Sequence, residues 1–428
     1  MDHKNPATVQ YPSTQTHASA PYAISRREFL LGTGAALCAL LFDVSAGSSS
    51  AGPSVRVGVI LSGDADDAAE LDSLMAGFEL LVKEQNAGIL QLTKKKAGAK
   101  DEKTLEALVR LLTHEDLHFL IAPNSLAGTE KCIHGLPEEK AILFVTHPSV
   151  KLVAGEMCAP GVFRLTPNTY QSAHPLAPWA LSTLGGNAFL AGLNDERGNE
   201  EADFFAYGFE RAGGTFVNRM MAPFESKAIA DVVKKIAEVK PDVVFASFRG
   251  GAAAMFIKQY SELMGSEAPP LVGPESLAAY PQPAQDLGKM CHGIKTQGFL
   301  KDPVEFASRV KKRLGLKITS AERAAEGYDI AQVILKAWEK QGESEKGRIP
   351  GLTKIVEELQ IEGPRGKIRF DKNHDPILET HVAQWEWSGK GLQRTGFRDL
   401  GVSRSADFGC GKVGFPSKPG QEEEGDED

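Results

Sequence analysis

Cysteine is scarce, with five in 428 residues, and there is no C-x-x-C pair or Cys/His spacing able to hold zinc or haem. Phosphate-binding glycine runs are also missing. The chain has no G-x-x-x-x-G-K-[ST] and no G-x-G-x-x-G between its first strand and helix, which excludes a P-loop and a dinucleotide cradle. Neither G-x-S-x-G nor H-E-x-x-H occurs. His147, His374 and His381 are scattered and read as structural. The acidic run Asp64, Asp66, Asp67 lacks the later glutamate of a calcium loop. These absences predict a protein that is not an enzyme and that needs no cofactor or metal. Basic charge is not in excess either: 48 Lys and Arg face 56 Asp and Glu, a net charge of -8. Nucleic acid is therefore not an expected partner, because phosphate binding needs a concentrated basic surface. The one basic run, Lys94-Lys95-Lys96, reads as a solvated surface turn.

What is present begins with an export pattern. Residues 1–24 are polar and irregular. Ser25-Arg26-Arg27-Glu28-Phe29-Leu30 and the apolar run Leu31 to Phe42 then resemble a twin-arginine export signal. That run is too short for a transmembrane helix, which needs about 20 residues. Val44-Ser45-Ala46 offers small residues for cleavage near Ala46, giving a 1–46 signal and a 47–54 linker. The expected location is periplasmic, with the twin-arginine machinery as a partner. Cys38 leaves with the signal. Cys132, Cys158, Cys291 and Cys410 then remain in a compartment that permits disulfides, and Cys132–Cys158 is the preferred pair, both lying in the first half around one strand; four buried thiols are the alternative.

Beyond the linker, 428 residues are enough for two or three domains, and 42% hydrophobic residues suit a globular chain. Val55–Leu61 reads as a buried strand followed by a loop over 62–67. Leu74, Met75, Phe78, Leu81 and Val82 then recur at helical spacing, with Asp72 or Ser73 as cap. Strand and helix continue to alternate. Strands are expected at 117–122, 141–145, 188–193, 215–220, 242–246 and 270–272. Helices are expected near 105–112, 129–139, 201–212, 227–239 and 251–263. Two successive βα series imply two parallel-sheet α/β lobes. Later come helices at 321–339 and 352–359, then a hairpin of 367–370 and 381–387 turning at 373–376. The expected division is 55–164 plus about 298–380 for lobe 1 and 165–297 plus about 381–401 for lobe 2, joined by a multi-crossing hinge. Residues 402–428 form a tail that is acidic at its end.

Several local runs then resemble, in order, the type I periplasmic binding proteins, the family of branched-chain amino acid and amide receptors of ABC transporters. They are Val55–Leu61 with Ser62-Gly63, Ile121-Ala122-Pro123-Asn124-Ser125, Ile142–Thr146, Gly273-Pro274-Glu275, Glu326-Gly327-Tyr328-Asp329, and Gly363-Pro364-Arg365-Gly366-Lys367-Ile368-Arg369-Phe370-Asp371. The resemblance implies a monomeric solute-binding protein that closes two lobes on a small organic ligand, an amino acid, amide or organic acid, and delivers it to an ABC transporter permease. It places Asn124, Ser125, Thr146 and Ser149 in ligand loops, with Ser125 and Ser149 on the ligand carboxylate. Glu275 falls on the acid that holds a ligand ammonium, or else pairs with a protein arginine. The chain also departs from the family. Arg197-Gly198 stands where a cleft tyrosine is common, Phe248-Arg249 where an aromatic and a polar residue line the second lobe, and Val150 where a threonine is common. A ligand-sensing module for a membrane partner, or a periplasmic enzyme or redox accessory, are the alternatives.

Overall fold

The computed structural model describes residues 54–406 apart from 62–64, 98–100, 138, 155–156, 279–284, 343–344 and 390. The expected signal, most of the linker, and the tail beyond residue 406, with Cys38 and Cys410, lie outside the described residues. The first series gives strands β1 (Val55–Leu61), β2 (Leu90–Lys96), β3 (Phe119–Ile121), β4 (Ile142–Val145) and β5 (Val162–Arg164). They pair in parallel in the order β2-β1-β3-β4-β5. Crossover helices α1 (Ala65–Glu84), α2 (Asp101–His114) and α3 (Leu126–Gly135) connect the first four. Strands β1, β3, β4 and β5 are buried nearly throughout, as expected where helices cover both faces.

The second series opens with α4 (Thr169–Ala173) and α5 (Leu176–Leu184). It then alternates β6 (Asn187–Leu193), α6 (Glu196–Arg211), β7 (Thr215–Ala222), α7 (Ser226–Val239), β8 (Val243–Ser247), α8 (Gly250–Met264), β9 (Leu271–Pro274), α9 (Gln285–Met290) and β10 (Lys295–Gly298). These strands are parallel in the order β7-β6-β8-β9-β10. Helices α10 (Pro303–Leu314), α11 (Ala321–Lys340) and α12 (Ile349–Glu357) follow. The chain ends in β11 (Gln360–Gly363), β12 (Gly366–Phe370), β13 (Pro376–Trp387) and β14 (Leu392–Ser403). Helices α10 to α12 return to the apolar cluster of the first sheet, where Phe306, Ile334 and Leu352 join Val57 and Phe144. Strand β13 pairs antiparallel with β12 at Ile377 and with β10 over 381–384. One strand thus ties the two halves together. The backbone passes between the lobe cores three times, near 165–173, 294–299 and 378–382.

Three local expectations are corrected. Lys94-Lys95-Lys96 is not a turn but the end of edge strand β2, parallel to β1; lysines suit an edge because they blunt pairing with other chains. Helix α1 starts at Ala65, so Ser73 is not a cap: its hydroxyl bonds to Ala69 O (3.0 Å) and the Thr319 hydroxyl (2.9 Å) inside the helix bundle. Cys132 is a free thiol, so Cys132–Cys158 is not formed. It sits fully buried in the apolar cluster with Leu108, Leu143 and Leu152, and burial pushes its thiol up to about 12. Such a cysteine acts as a small apolar core residue. Among the described residues, no helix is long and apolar enough to cross a membrane.

A candidate ligand cleft between the lobes

In a parallel sheet the carboxyl ends of the strands face the loops that bind. Asn124 follows β3, Thr166 follows β5, Arg197 follows β6, Arg249 follows β8, Glu275 follows β9 and Phe299 follows β10. All six line one cavity of about 180 Å³, joined by Glu70 of α1, by Glu322, Arg323 and Glu326 of α11, and by Arg365 of the β11–β12 turn. Its walls come from both lobes.

Four of the expected ligand residues are in this wall: Asn124, Arg197, Arg249 and Glu275. The other four are not. Ser125 precedes α3 and makes no side-chain cap bond, lying against Gly128 instead. Thr146 is fully buried and donates its hydroxyl to Ala122 O (3.2 Å). Ser149 donates to Glu200 (2.8 Å). Phe248 is a core residue stacked on Phe256 with ring centroids 4.4 Å apart. Two of the expected hydroxyls are already held by internal acceptors, and a fully buried ring cannot reach a solute.

The charged groups of the cavity are organised by pairing. Arg323 is the centre on the first lobe: Nη1 donates to Glu326 (2.6 Å), Nη2 to Asn124 Oδ1 (3.2 Å) and to Thr146 O (3.1 Å), and Nε lies 3.7 Å from Glu70. Asn124 in turn donates to Glu70 (2.8 Å). Arg365 is almost wholly buried; it donates through Nε to Asp329 (2.6 Å) and through Nη1 to Leu165 O (3.0 Å), fastening α11 to the first crossing. On the second lobe Arg249 forks onto Asp195 (2.6 and 3.3 Å), and Arg197 pairs with Glu201 (2.9 Å) on its own helix. Arg394 holds Leu300 O (3.1 Å), the His381 imidazole (2.9 Å) and Glu322 (3.4 Å).

Glu275 is the exception. The two guanidiniums that favour its charged form, Arg394 and Arg197, are bound to other groups. Burial first, then the Glu322 and Glu70 carboxylates, push the Glu275 carboxyl up to about 8. An acid raised in this way favours folding while protonated, so its contribution is complete below about pH 4.5 and is lost as pH rises through about 8. Glu275→Gln is expected to flatten the fall in stability between pH 5 and pH 8. Chemical denaturation at pH 5, 6.5 and 8 checks this, and an unchanged slope contradicts it.

Sequence reasoning missed Glu70, Arg323, Glu326 and Arg365 as cavity residues. The last three stood inside or beside the runs Glu326–Asp329 and Gly363–Asp371, which the family resemblance had already singled out.

A family model described as periplasmic binding protein matches residues 54–391. The chain belongs to that family. The fold is that of the type I members, and solved structures agree at low identity. A solute-binding protein of an ABC transporter from Rhodopseudomonas palustris BisB5, in complex with 3,4-dihydroxybenzoic acid, is 18% identical, with a TM-score of 0.71, covering 82% of this chain and 98% of its own. A Rhodopseudomonas palustris solute-binding protein in complex with benzoate is 21% identical with a TM-score of 0.69, covering 83% and 98%. The leucine-, isoleucine-, valine-, threonine- and alanine-binding protein of Brucella ovis, in its closed conformation, is 14% identical with a TM-score of 0.68, covering 81% and 95%. No curated protein matches the sequence.

Proposed function

We propose that this protein captures a small organic solute in the cleft and presents it to the permease of an ABC importer. The single observation behind this role is the cavity whose wall is drawn from both lobes, with Asn124, Arg323 and Glu326 on one side and Arg197, Arg249 and Glu275 on the other. A solute touching both walls favours the closed arrangement, and a permease can read that arrangement. Of the low-identity relatives, two are in complex with 3,4-dihydroxybenzoic acid and with benzoate, and a third is named for binding leucine, isoleucine, valine, threonine and alanine; solutes of that size suit a cavity of about 180 Å³. A carboxylate in a closed cleft is costly without a cation, so a ligand amine is assigned to Glu275. Export through the twin-arginine pathway by Ser25–Leu30, with cleavage near Ala46, completes the proposal and places the protein in the periplasm.

A thermal-shift screen of amino acids, amides, organic acids and aromatic acids tests this. A true ligand at 100 times its Kd adds about 2.7 kcal/mol to stability. Amine-bearing ligands are expected to lose most of that gain in Glu275→Ala. A screen in which no solute stabilises the protein contradicts the role.

A further inference from the structure

Cys132 and Cys291 are buried free thiols. Cys158 is not free: it is disulfide-bonded. Its partner is therefore Cys38 or Cys410, the two cysteines outside the described residues. Cys38 falls in the export signal proposed above and leaves with it, so Cys410 remains. The packing of the neighbouring residues agrees. The described residues end at Ala406, which is buried in the same apolar cluster as Val150 and Ala154. Ser405 is fixed beside it, its hydroxyl accepting from Asn168 Nδ2 (2.7 Å). Cys158 lies four residues after Ala154, and Cys410 lies four residues after Ala406. Four residues reach about 14 Å at most. Two such arms from one cluster can bring their Cα atoms to the roughly 4.4–6.8 Å that a disulfide needs.

The two arms belong to different lobes. Met157 and Ala159, on either side of Cys158, pack on the lobe 1 cluster that holds Leu143 and Val162. Ala406 packs in the lobe 2 cluster with Leu176 and Phe245, just after Ser403 of β14 pairs with Leu378. We propose that Cys158 and Cys410 form a disulfide that clasps lobe 1 to the end of β14, adding a covalent link to the three backbone passages between the lobes. The clasp limits how far the lobes separate, and reduction releases it. Cys158 is only partly buried, whereas Cys132 and Cys291 are wholly buried, so a reductant in solution meets this bond and leaves the other thiols unchanged. Forming the bond takes two protons and two electrons from the thiols. A small-molecule disulfide such as oxidised glutathione accepts them and is split into two thiols. The clasp is independent of which solute the cleft takes.

The test uses the purified full chain, oxidised with glutathione disulfide. The chain is unfolded, its free thiols are blocked with N-ethylmaleimide, and it is digested unreduced and read by mass spectrometry. A linked pair of peptides carrying Cys158 and Cys410 is expected, with Cys132 and Cys291 blocked. Cys158 found blocked, or linked to Cys38 or to a second copy of the chain, overturns the proposal. Melting gives the second reading. Tris(2-carboxyethyl)phosphine is expected to lower the Tm of the oxidised parent by at least about 5 °C, because the bond closes a long loop and restricts the unfolded chain. Cys158→Ser and Cys410→Ser are expected to melt with the reduced parent and to ignore the reductant. Variants that still respond to it overturn the pairing, and reduction of the parent decides the matter if a variant does not fold. Hydrogen exchange over residues 165–173 and 378–382, two of the passages, is expected to quicken at least threefold on reduction. Exchange that reduction leaves unchanged overturns the clasp.

Discussion

Asp375→Ala is expected to lower the unfolding free energy by about 3–5 kcal/mol, the range for breaking a buried ion pair from one side. Asp375 and Arg164 are fully buried. The carboxylate accepts from Arg164 Nε (2.8 Å) and lies 2.7 Å from Nη2, and its other oxygen accepts from Asn168 Nδ2 (2.9 Å). Arg164 ends β5 and also holds the His147 and Ser149 carbonyls. Asp375 closes the turn before β13. The pair therefore joins the first and third passages between the lobes. Removing the acid leaves a fully buried guanidinium without its counter-charge. Arg164→Met combined with Asp375→Leu is expected to recover much of the loss, because the burial penalty then disappears with the charge. Urea unfolding of the three variants decides this. A loss below about 1 kcal/mol in Asp375→Ala rules out the pair as a hinge fastener.

The strand and helix alternation was legible because most elements bury an unbroken apolar run. Ile142-Leu143-Phe144-Val145 is one such run, and all four residues are buried. Strand β2 was illegible for the opposite reason. Of Leu90–Lys96 only Leu90 is fully buried, so its pairing with β1 leaves no apolar signature. Strand β14 is mostly exposed and carries Gly396 and Gly401 with positive φ, and it exists because β13 offers it a partner. Pairing decides such strands, and pairing is not local. The site divides in the same way. Arg197, Arg249 and Glu275 were singled out by the family resemblance, and the structure brings all three to the cavity wall. The hydroxyls of Thr146 and Ser149 were misread because a hydroxyl's partner depends on the whole fold: Ala122 O for one, and Glu200, from a helix far along the chain, for the other. The cysteine pairing failed on the same ground. Parity and compartment say nothing about which helix face Cys132 occupies.

The glycine of Glu326-Gly327-Tyr328-Asp329 leads to the other large effect. Helices α1 and α11 meet backbone to backbone. A Cβ on Gly327 would lie 1.7 Å from Leu74 O, and one on Gly77 would lie 1.6 Å from Ala324 O. Two glycines on facing helices thus permit each other's approach, and a backbone carbonyl cannot swing aside as a side chain can. Gly327→Ala is expected to destabilise by about 3 kcal/mol or more, at the upper end of overpacking effects. Alanine's intrinsic helix advantage of about 1 kcal/mol works against that loss and does not cancel it. Gly88→Ala is the control: nothing lies within 4 Å of its Cβ position, and its effect is expected within about 0.5 kcal/mol. The consequence reaches the cleft, because α11 carries Glu322, Arg323 and Glu326 in its first two turns. Forcing α11 away from α1 moves Arg323 relative to Glu70 and Asn124, so ligand affinity should fall along with stability. Urea unfolding measures the first loss and titration of any ligand from the screen measures the second. Stability within 1 kcal/mol of the parent in Gly327→Ala excludes the close helix contact, and intact affinity in a destabilised Gly327→Ala shows that α11 shifts without carrying Arg323 with it.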